Sequence, residues 1–499
     1  MLTEQNQNVL NQNYNTKMTH KYQTRIKDGS LEIGDWLNRD QEVTNLKFIE
    51  KFNIQTLKLY INDLMSLKLR SYTIKELSFE IPRHFGKYVQ NWKVDDLELE
   101  NLEVLQINGN QLENNKLFNL VKFKKLHTLD VSNNSVDLTH IHGVKSLTKL
   151  SMRSCGLNNI DQVSSLTNLK VFDLSANKGV DLSPLCKVKS LTKLSIQNCD
   201  QKNSDQISVL INLEDLDLSA NRGLIINSLY KINNLTRLSM QECDLKDIDL
   251  IVLLTNLEVL DISWNKLLNI DSISQLVNLK ELNISQNKNL DISPLKNLVG
   301  LIKLNIQQCG LTQLSALKPL VNLQTLWLNE NPYINIVELQ FLNNLKFLDL
   351  SCCKLVSIYV LKPLVKLETL LIAFNNIVYL DANLNEMKQL KMLRVEGNGI
   401  IDFTSIEKHI NFNNLDEFGK RNFYISYQIM SMKIKATQLR RVEYPNNQLK
   451  EIQSKRKIFK TRFDTLKLEI KTIIYNANPI QFTSSAVQLF QLLNQEVSQ

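Results

Sequence analysis

One pattern, Leu-x-x-Leu-x-Leu-x-x-Asn, returns about fourteen times between Leu102 and Asn398, at intervals of 21 to 24 residues. A unit that short cannot bury its own apolar face. It is stable only when stacked between copies of itself, so the chain must build a solenoid with one continuous core. This overrides the roughly two to four globular domains that 499 residues would otherwise suggest. An apolar content of 43% is ample for such a core.

The last two apolar residues before the Asn lie two positions apart, as in Leu216 and Leu218 before Asn221, or Leu304 and Ile306 before Cys309. That spacing is strand periodicity with both side chains inward, so the strands stack as a parallel sheet on the concave side. The residue that ends each unit turns the chain inward. It recurs as Asn110, Asn134, Cys155, Asn177, Cys199, Asn221, Cys243, Asn265, Asn287, Cys309, Asn331, Cys353, Asn375 and Asn398. An amide there must satisfy neighbouring backbone groups, and a cysteine fits the same small pocket with a weaker donor. These residues form a structural ladder and none is catalytic.

The second half of each unit carries further apolar residues, such as Leu182, Leu185 and Val188, or Ile292, Leu295 and Leu298. About 22 residues leave room only for short 3₁₀ turns on the convex side. Ser183-Pro184 and Ser293-Pro294 read as turn starts, with serine expected to cap the free amides. Gly156, Gly179, Gly223 and Gly310 follow the ladder residue where the backbone bends. Between Asn134 and Asn265 two unit types alternate, one ending in Asn and one in Cys. The alternation fits duplication of a repeat pair, and equally fits selection on the concave face.

Seven cysteines lack any Cys-x-x-Cys spacing, and ladder cysteines two repeats apart are too distant to bridge. No metal site and no cofactor are expected. The six histidines show no ligand spacing, and there is no phosphate-binding glycine loop, Gly-x-Ser-x-Gly or His-Glu-x-x-His. The reading is non-enzymatic. The N-terminal residues MLTEQNQNVLNQNYNTK are polar, with no apolar core of a signal peptide. No run approaches the roughly eighteen apolar residues of a membrane span. The expected location is the cytoplasm, with the nucleus as the alternative.

Between the inward residues, the solvent-facing column of the strands reads mostly Asp, Ser and Asn, with Asp173, Asp217 and Asp261 about 10 Å apart along the face. That row suits contact with a basic surface. The column then changes to Trp327, Asp349, Leu371 and Arg394, beside Asn329 and Glu396 in the next one. By strand parity Trp327 is outside the core. Rigid aromatics near arginine have the composition of a binding hot spot. These nine residues are the candidate protein-binding surface, and cover by the chain's own tail is the competing reading for Trp327 and Leu371.

Residues 421–499 carry thirteen Lys or Arg against five Asp or Glu, so the tail accounts for the whole net charge of +8. Over 448–475 apolar residues recur at helical spacing, with Lys455, Arg456, Lys457, Lys460, Arg462, Lys467 and Lys471 on the other faces. Such a helix packs on the last repeats or meets a protein, a nucleic acid or an anionic surface.

The repeat resembles the 22-residue class of leucine-rich repeats, which includes the leucine-rich regulatory subunit of protein phosphatase 1 and the bacterial internalins. The resemblance covers roughly residues 43–410. It implies an α/β solenoid, a leucine-rich repeat horseshoe or arc with a parallel concave sheet and 3₁₀ turns on the convex side; the helical C-terminal extension is expected from the apolar spacing over 448–475 instead. It also implies a protein partner across the concave sheet. The chain departs from those families in its cysteine ladder and basic tail. The expected organisation is a disordered polar tail over 1–25, an N-terminal cap with irregular repeats over 26–100, the regular solenoid over 101–410, a C-terminal cap over 411–445 and a basic helical extension over 446–499. The expected function is a protein-binding scaffold or adaptor. A nucleic-acid-associated subunit using the basic helix and a phosphatase regulatory subunit are the alternatives. The oligomeric state is not encoded in any motif.

Overall fold

A computed structural model describes residues 23–27, 30–34, 54–60, 69–80, 97–109, 120–136 and 141–378, together with 380, 384, 386–395 and 397–398. The C-terminal cap and the basic extension, including Lys455, Arg456, Lys457, Lys460, Arg462, Lys467 and Lys471, lie outside these residues, as do Asn110 and Glu396.

Eighteen of the described strands form one sheet. It opens with an antiparallel hairpin, Gln23–Lys27 against Ser30–Gly34, whose second strand pairs in parallel with Thr56–Tyr60. From there every neighbour is parallel, through Glu76–Glu80 and Val104–Asn108 to Met392–Arg394. The hairpin begins at Gln23, inside the stretch read as a polar tail, and finishes the N-terminal end of the sheet. Two short strands, Leu69–Arg70 and Leu97–Glu98, pair separately.

From Thr128–Asp130 onward each strand has three residues, and its middle residue points inward. Leu150, Phe172, Leu194, Leu216 and Leu238 face one another in unbroken register and are fully or almost fully buried. A one-residue slip would turn this whole row to solvent, at about 1.5–3 kcal/mol for each leucine exposed, so the register is strongly specified.

The convex side consists of 3₁₀ turns such as Asp161–Ser165, Ser183–Lys187, Asp271–Gln275 and Ser293–Asn297. The serines after the bend do not cap these turns. Ser183 and Ser293 are themselves the first turn residues, and carboxylates two places earlier do the capping. Asp181 accepts from the Ser183 N–H and Oγ at 3.0 and 2.7 Å, and Asp291 accepts likewise from Ser293 at 2.9 and 2.8 Å. A charged acceptor makes the stronger bond to a free amide, and each serine hydroxyl donates to the same carboxylate.

The ladder is buried from Asn134 to Asn375, while Asn398 is only half-buried. Asn221 shows the geometry. Its Nδ2 donates to the carbonyls of Ile196 at 2.9 Å and Leu218 at 2.7 Å, and its Oδ1 accepts from the amides of Cys199 and Gln201 at 3.0 Å each. Cys199 keeps only the donor half of this role, with Sγ donating to Leu174 O at 3.3 Å.

A second polar ladder, absent from the sequence reading, runs just before the strands. Asn168, Asn212, Asn234, Asn256, Asn278, Asn322 and Asn344 each donate Nδ2 to a carbonyl one repeat earlier, at 2.9–3.0 Å. Ser146 and Ser190 take the same place with their hydroxyls. The signal was the Asn-Leu pair that enters these strands.

Candidate functional site: the concave face of the sheet

A three-residue strand with its centre buried presents two side chains to the concave side, its first and its third. The third-position column runs Asp130, Ser151, Asp173, Ser195, Asp217, Ser239, Asp261, Asn283, Asn305, Trp327, Asp349, Leu371 and Arg394, in continuous register. The expected row of carboxylates is therefore present, and Asp173, Asp217 and Asp261 are half-buried in it.

These carboxylates are partly committed to the fold. Asp173, Asp217 and Asp261 each accept, through Oδ1, from the amide of the serine two residues on, at 2.9 Å. This local turn closes the strand end. The serines then link repeats, since Ser175 Oγ lies 2.8 Å from Ser195 Oγ, and Ser219 Oγ 2.8 Å from Ser239 Oγ. Asp261 also holds Asn283 Nδ2 at 2.9 Å through its second oxygen. Asp in this column thus has a structural reason that strand parity alone did not reveal.

The first-position column was not considered in the sequence reading. It runs Thr128, Lys149, Val171, Lys193, Asp215, Arg237 and Val259, then Glu281, Lys303, Thr325, Phe347, Thr369 and Met392. Its N-terminal part and the aspartate row together line a groove of about 740 Å³. Lysines and arginine stand on repeats that carry Ser in the third position, so cations and carboxylates alternate across the groove. Lys193 reaches Asp215 at 2.6 Å, and Lys303 reaches Glu281 at 2.9 Å.

The C-terminal sector differs in kind. Trp327 is half-buried and its ring lies 5.2 Å from that of Phe347, tilted by 47°. Phe347 is on the next strand in the first column, which is why the sequence reading missed it; the same parity argument applied one column over identifies it. Asp349 sits beside Trp327 in register, followed by Leu371 and Arg394. All four are half-buried, so the large side chains shield one another without entering the core. Asp349 Oδ1 accepts from the Ser351 amide at 2.9 Å. Burial raises its carboxyl above the ordinary range, against the Ser351 hydrogen bonds and the Arg394 charge, which pull the other way. Asn329, on the same face as Trp327, has its Oδ1 shielded from solvent with no hydrogen-bond partner among the described residues.

Trp264 and Phe374 lie outside both columns, at the turn before the ladder residue. Trp264 is 55% exposed, and the Phe374 ring lies against Gly397, leaving no space there for a Cβ. Among the described residues the His127 ring meets Thr128 Oγ1 at 3.0 Å and Glu103 at 3.9 Å. Among the described residues no group of three or more His, Cys, Asp or Glu is placed to hold a metal ion, and no helix is long and apolar enough to cross a membrane.

No protein-family profile matches the chain, and no curated protein matches it. Solved structures do. An internalin of Listeria monocytogenes (inlF) is 24% identical, over 59% of this chain and 87% of that one, with a TM-score of 0.54. A leucine-rich repeat protein of Leptospira interrogans is 23% identical, over 76% and 99%, with a TM-score of 0.56. The TLR13 chain of a TLR13–ssRNA13 complex is 21% identical, over 72% and 63%, with a TM-score of 0.50. Likeness at this level is a likeness of fold: the chain is a leucine-rich repeat solenoid of the kind found in internalins and related proteins.

Proposed function

We propose that this leucine-rich repeat solenoid is a non-enzymatic protein-binding scaffold that holds its partner across the concave sheet. The observation that supports this best is the change of chemistry along one continuous face. For most of its length the sheet satisfies its own polar groups through Asp–Ser turns, serine bridges and ion pairs. At Trp327, Phe347, Asp349, Leu371 and Arg394 the same face offers aromatic and aliphatic surface beside half-buried charge. In this reading that sector, together with Asn329, is the anchor, and Glu396, which lies outside the described residues, is a further contact by its place in the sequence. Asp173, Asp217 and Asp261 are peripheral contacts for a basic part of the partner, Asp261 while its second oxygen also holds Asn283.

Affinity capture with the full chain, compared with the Trp327→Ala, Leu371→Asp double variant, tests the proposal. Loss of a hot-spot anchor typically weakens binding by about 2 kcal/mol or more, roughly thirtyfold. The variant is expected to lose a set of proteins that the parent retains while melting at nearly the same temperature. An unchanged set of captured proteins would overturn the assignment.

A second reading rests on the charge of residues 421–499, whose basic excess suits a nucleic acid. Full chain bound to single-stranded RNA with a steep salt dependence would favour it, because neutralised phosphates release counterions. The phosphatase-regulator reading has no residue of its own to support it beyond the shared fold.

A further inference from the structure

We propose that the anchor sector receives a cationic side chain of the protein partner, arginine or lysine, with its aliphatic stem on the Trp327–Phe347 rings and its charged head at Asp349. This rests on the protein-binding reading and specifies the guest.

The sector is rich in hydrogen-bond acceptors and poor in donors on the Trp327 side. Asp349 accepts from the Ser351 amide through one oxygen, and the nearest cation in its column, Arg394, stands two strands away beyond Leu371 and acts on it through its charge alone. Asn329 Oδ1 adds an acceptor without a donor among the described residues. Among the described residues the Glu330 carboxylate, one residue further along the strand exit, receives neutral side-chain amides, from Gln307 at 3.4 Å and from Gln308. In the first column of the same face, acids pair with cations on the next strand, as in Lys193–Asp215 and Lys303–Glu281. Around Trp327 the first column holds Thr325, Phe347 and Thr369 instead.

An aromatic pair next to an under-compensated carboxylate matches a guanidinium or ammonium, which gains from the ring face and from the charge-assisted hydrogen bond together. A purely apolar guest would cover Asp349 without giving it a donor, at a desolvation cost. An acidic guest would meet Asp349 and Glu330 as like charges.

The test uses fluorescein-labelled hexa-arginine and hexa-citrulline peptides, titrated with the full chain by fluorescence polarisation at 0.15 M salt. Citrulline keeps the shape and removes the charge. Saturable binding of hexa-arginine, and none of hexa-citrulline, is expected. Asp349→Asn, which keeps the oxygen that holds Ser351, should weaken binding about tenfold. Trp327→Ser, which restores the small polar residue of other repeats, should weaken it similarly, and Asp249→Asn on the convex side should leave it unchanged. Absence of hexa-arginine binding to the parent, equal binding of hexa-citrulline, or binding indifferent to both Asp349→Asn and Trp327→Ser would overturn the proposal. Capture of proteins that depends on Trp327 and Leu371, combined with no hexa-arginine binding, would discard the cationic guest and leave the scaffold reading standing.

Discussion

At the scale of single residues, the ladder shows how much a position can demand without fixing one amino acid. The pocket requires a small side chain with a donor aimed at a carbonyl one repeat earlier. Asn meets this at Asn177, where Nδ2 lies 2.8 Å from Met152 O, and Cys meets it at Cys243, where Sγ lies 3.3 Å from Leu218 O. Burial has a chemical consequence. It pushes the thiols of Cys155, Cys199, Cys243 and Cys309 up to about 11, and that of Cys353 up to about 12. An unfolded thiol ionises near 9. Between these values the folded chain holds protons that the unfolded chain has released. Stability from these thiols is therefore fully present below pH 9 and lost as pH rises towards 11. Each thiol contributes a slope of up to ~1.4 kcal/mol per pH unit in that window. Urea midpoints measured at pH 8 and pH 10 should fall in the parent, and fall less in Cys243→Ser, whose hydroxyl does not titrate there. Equal falls would mean that the thiol is not sheltered as described.

At the scale of the turn, the identity of one ladder residue sets the backbone of the repeat before it. From Cys155 onward, the amide two places after a ladder residue takes its acceptor from the next repeat. When that repeat ends in Asn, the side-chain oxygen serves, as for Gln201 and Asn221 at 3.0 Å or Ile377 and Asn398 at 3.1 Å. When it ends in Cys there is no such oxygen, and the Cys main-chain carbonyl accepts instead: Gly179 to Cys199 and Gly223 to Cys243 at 2.9 Å, Tyr333 to Cys353 at 3.2 Å. Reaching it puts the donor residue in the left-handed region, with φ of +71°, +75° and +72°. Glycine adopts that conformation freely, whereas a tyrosine is strained there by roughly 1–2 kcal/mol. Tyr333 is 72% exposed and its compensation is Lys354, whose Nζ donates to the Tyr333 hydroxyl at 2.7 Å and lies 4.3 Å from the ring centroid. Tyr333→Gly is accordingly expected to raise the thermal midpoint by a few degrees, a gain of up to ~1 kcal/mol. A lower midpoint would show that the Lys354 contact outweighs the strain. The Asn/Cys alternation, legible as a pattern in the sequence, thus has a conformational reason besides duplication. Its partner atoms are 20 to 25 residues apart, which is why the pattern alone did not disclose it.

At the scale of the whole molecule, a solenoid's stability is a sum of repeats and their nearest-neighbour interfaces. The unit that tiles without loss is then the Asn–Cys pair. Removing residues 200–243 joins Cys199 to the Asp244 turn and places Asn265 next, so the Cys199 amide still meets an asparagine oxygen. Removing residues 200–221 alone places Cys243 after Cys199 and leaves that buried amide without its acceptor, at a cost of about 1–3 kcal/mol. The shorter deletion is expected to lower the urea midpoint more than the longer one, and the reverse order would refute pairwise tiling. The sequence by itself determined the repeat, the inward leucines, the ladder positions and the departure at Trp327, because each follows from period and strand parity, which are local properties of the chain. Tertiary structure decided which atoms each ladder residue reaches, that Asp173 and Asp217 also close their own strands, and that Phe347 stands beside Trp327. Those facts depend on the stacking register between repeats, where neighbours in space are about one turn of the solenoid apart along the chain and no local pattern records their distance.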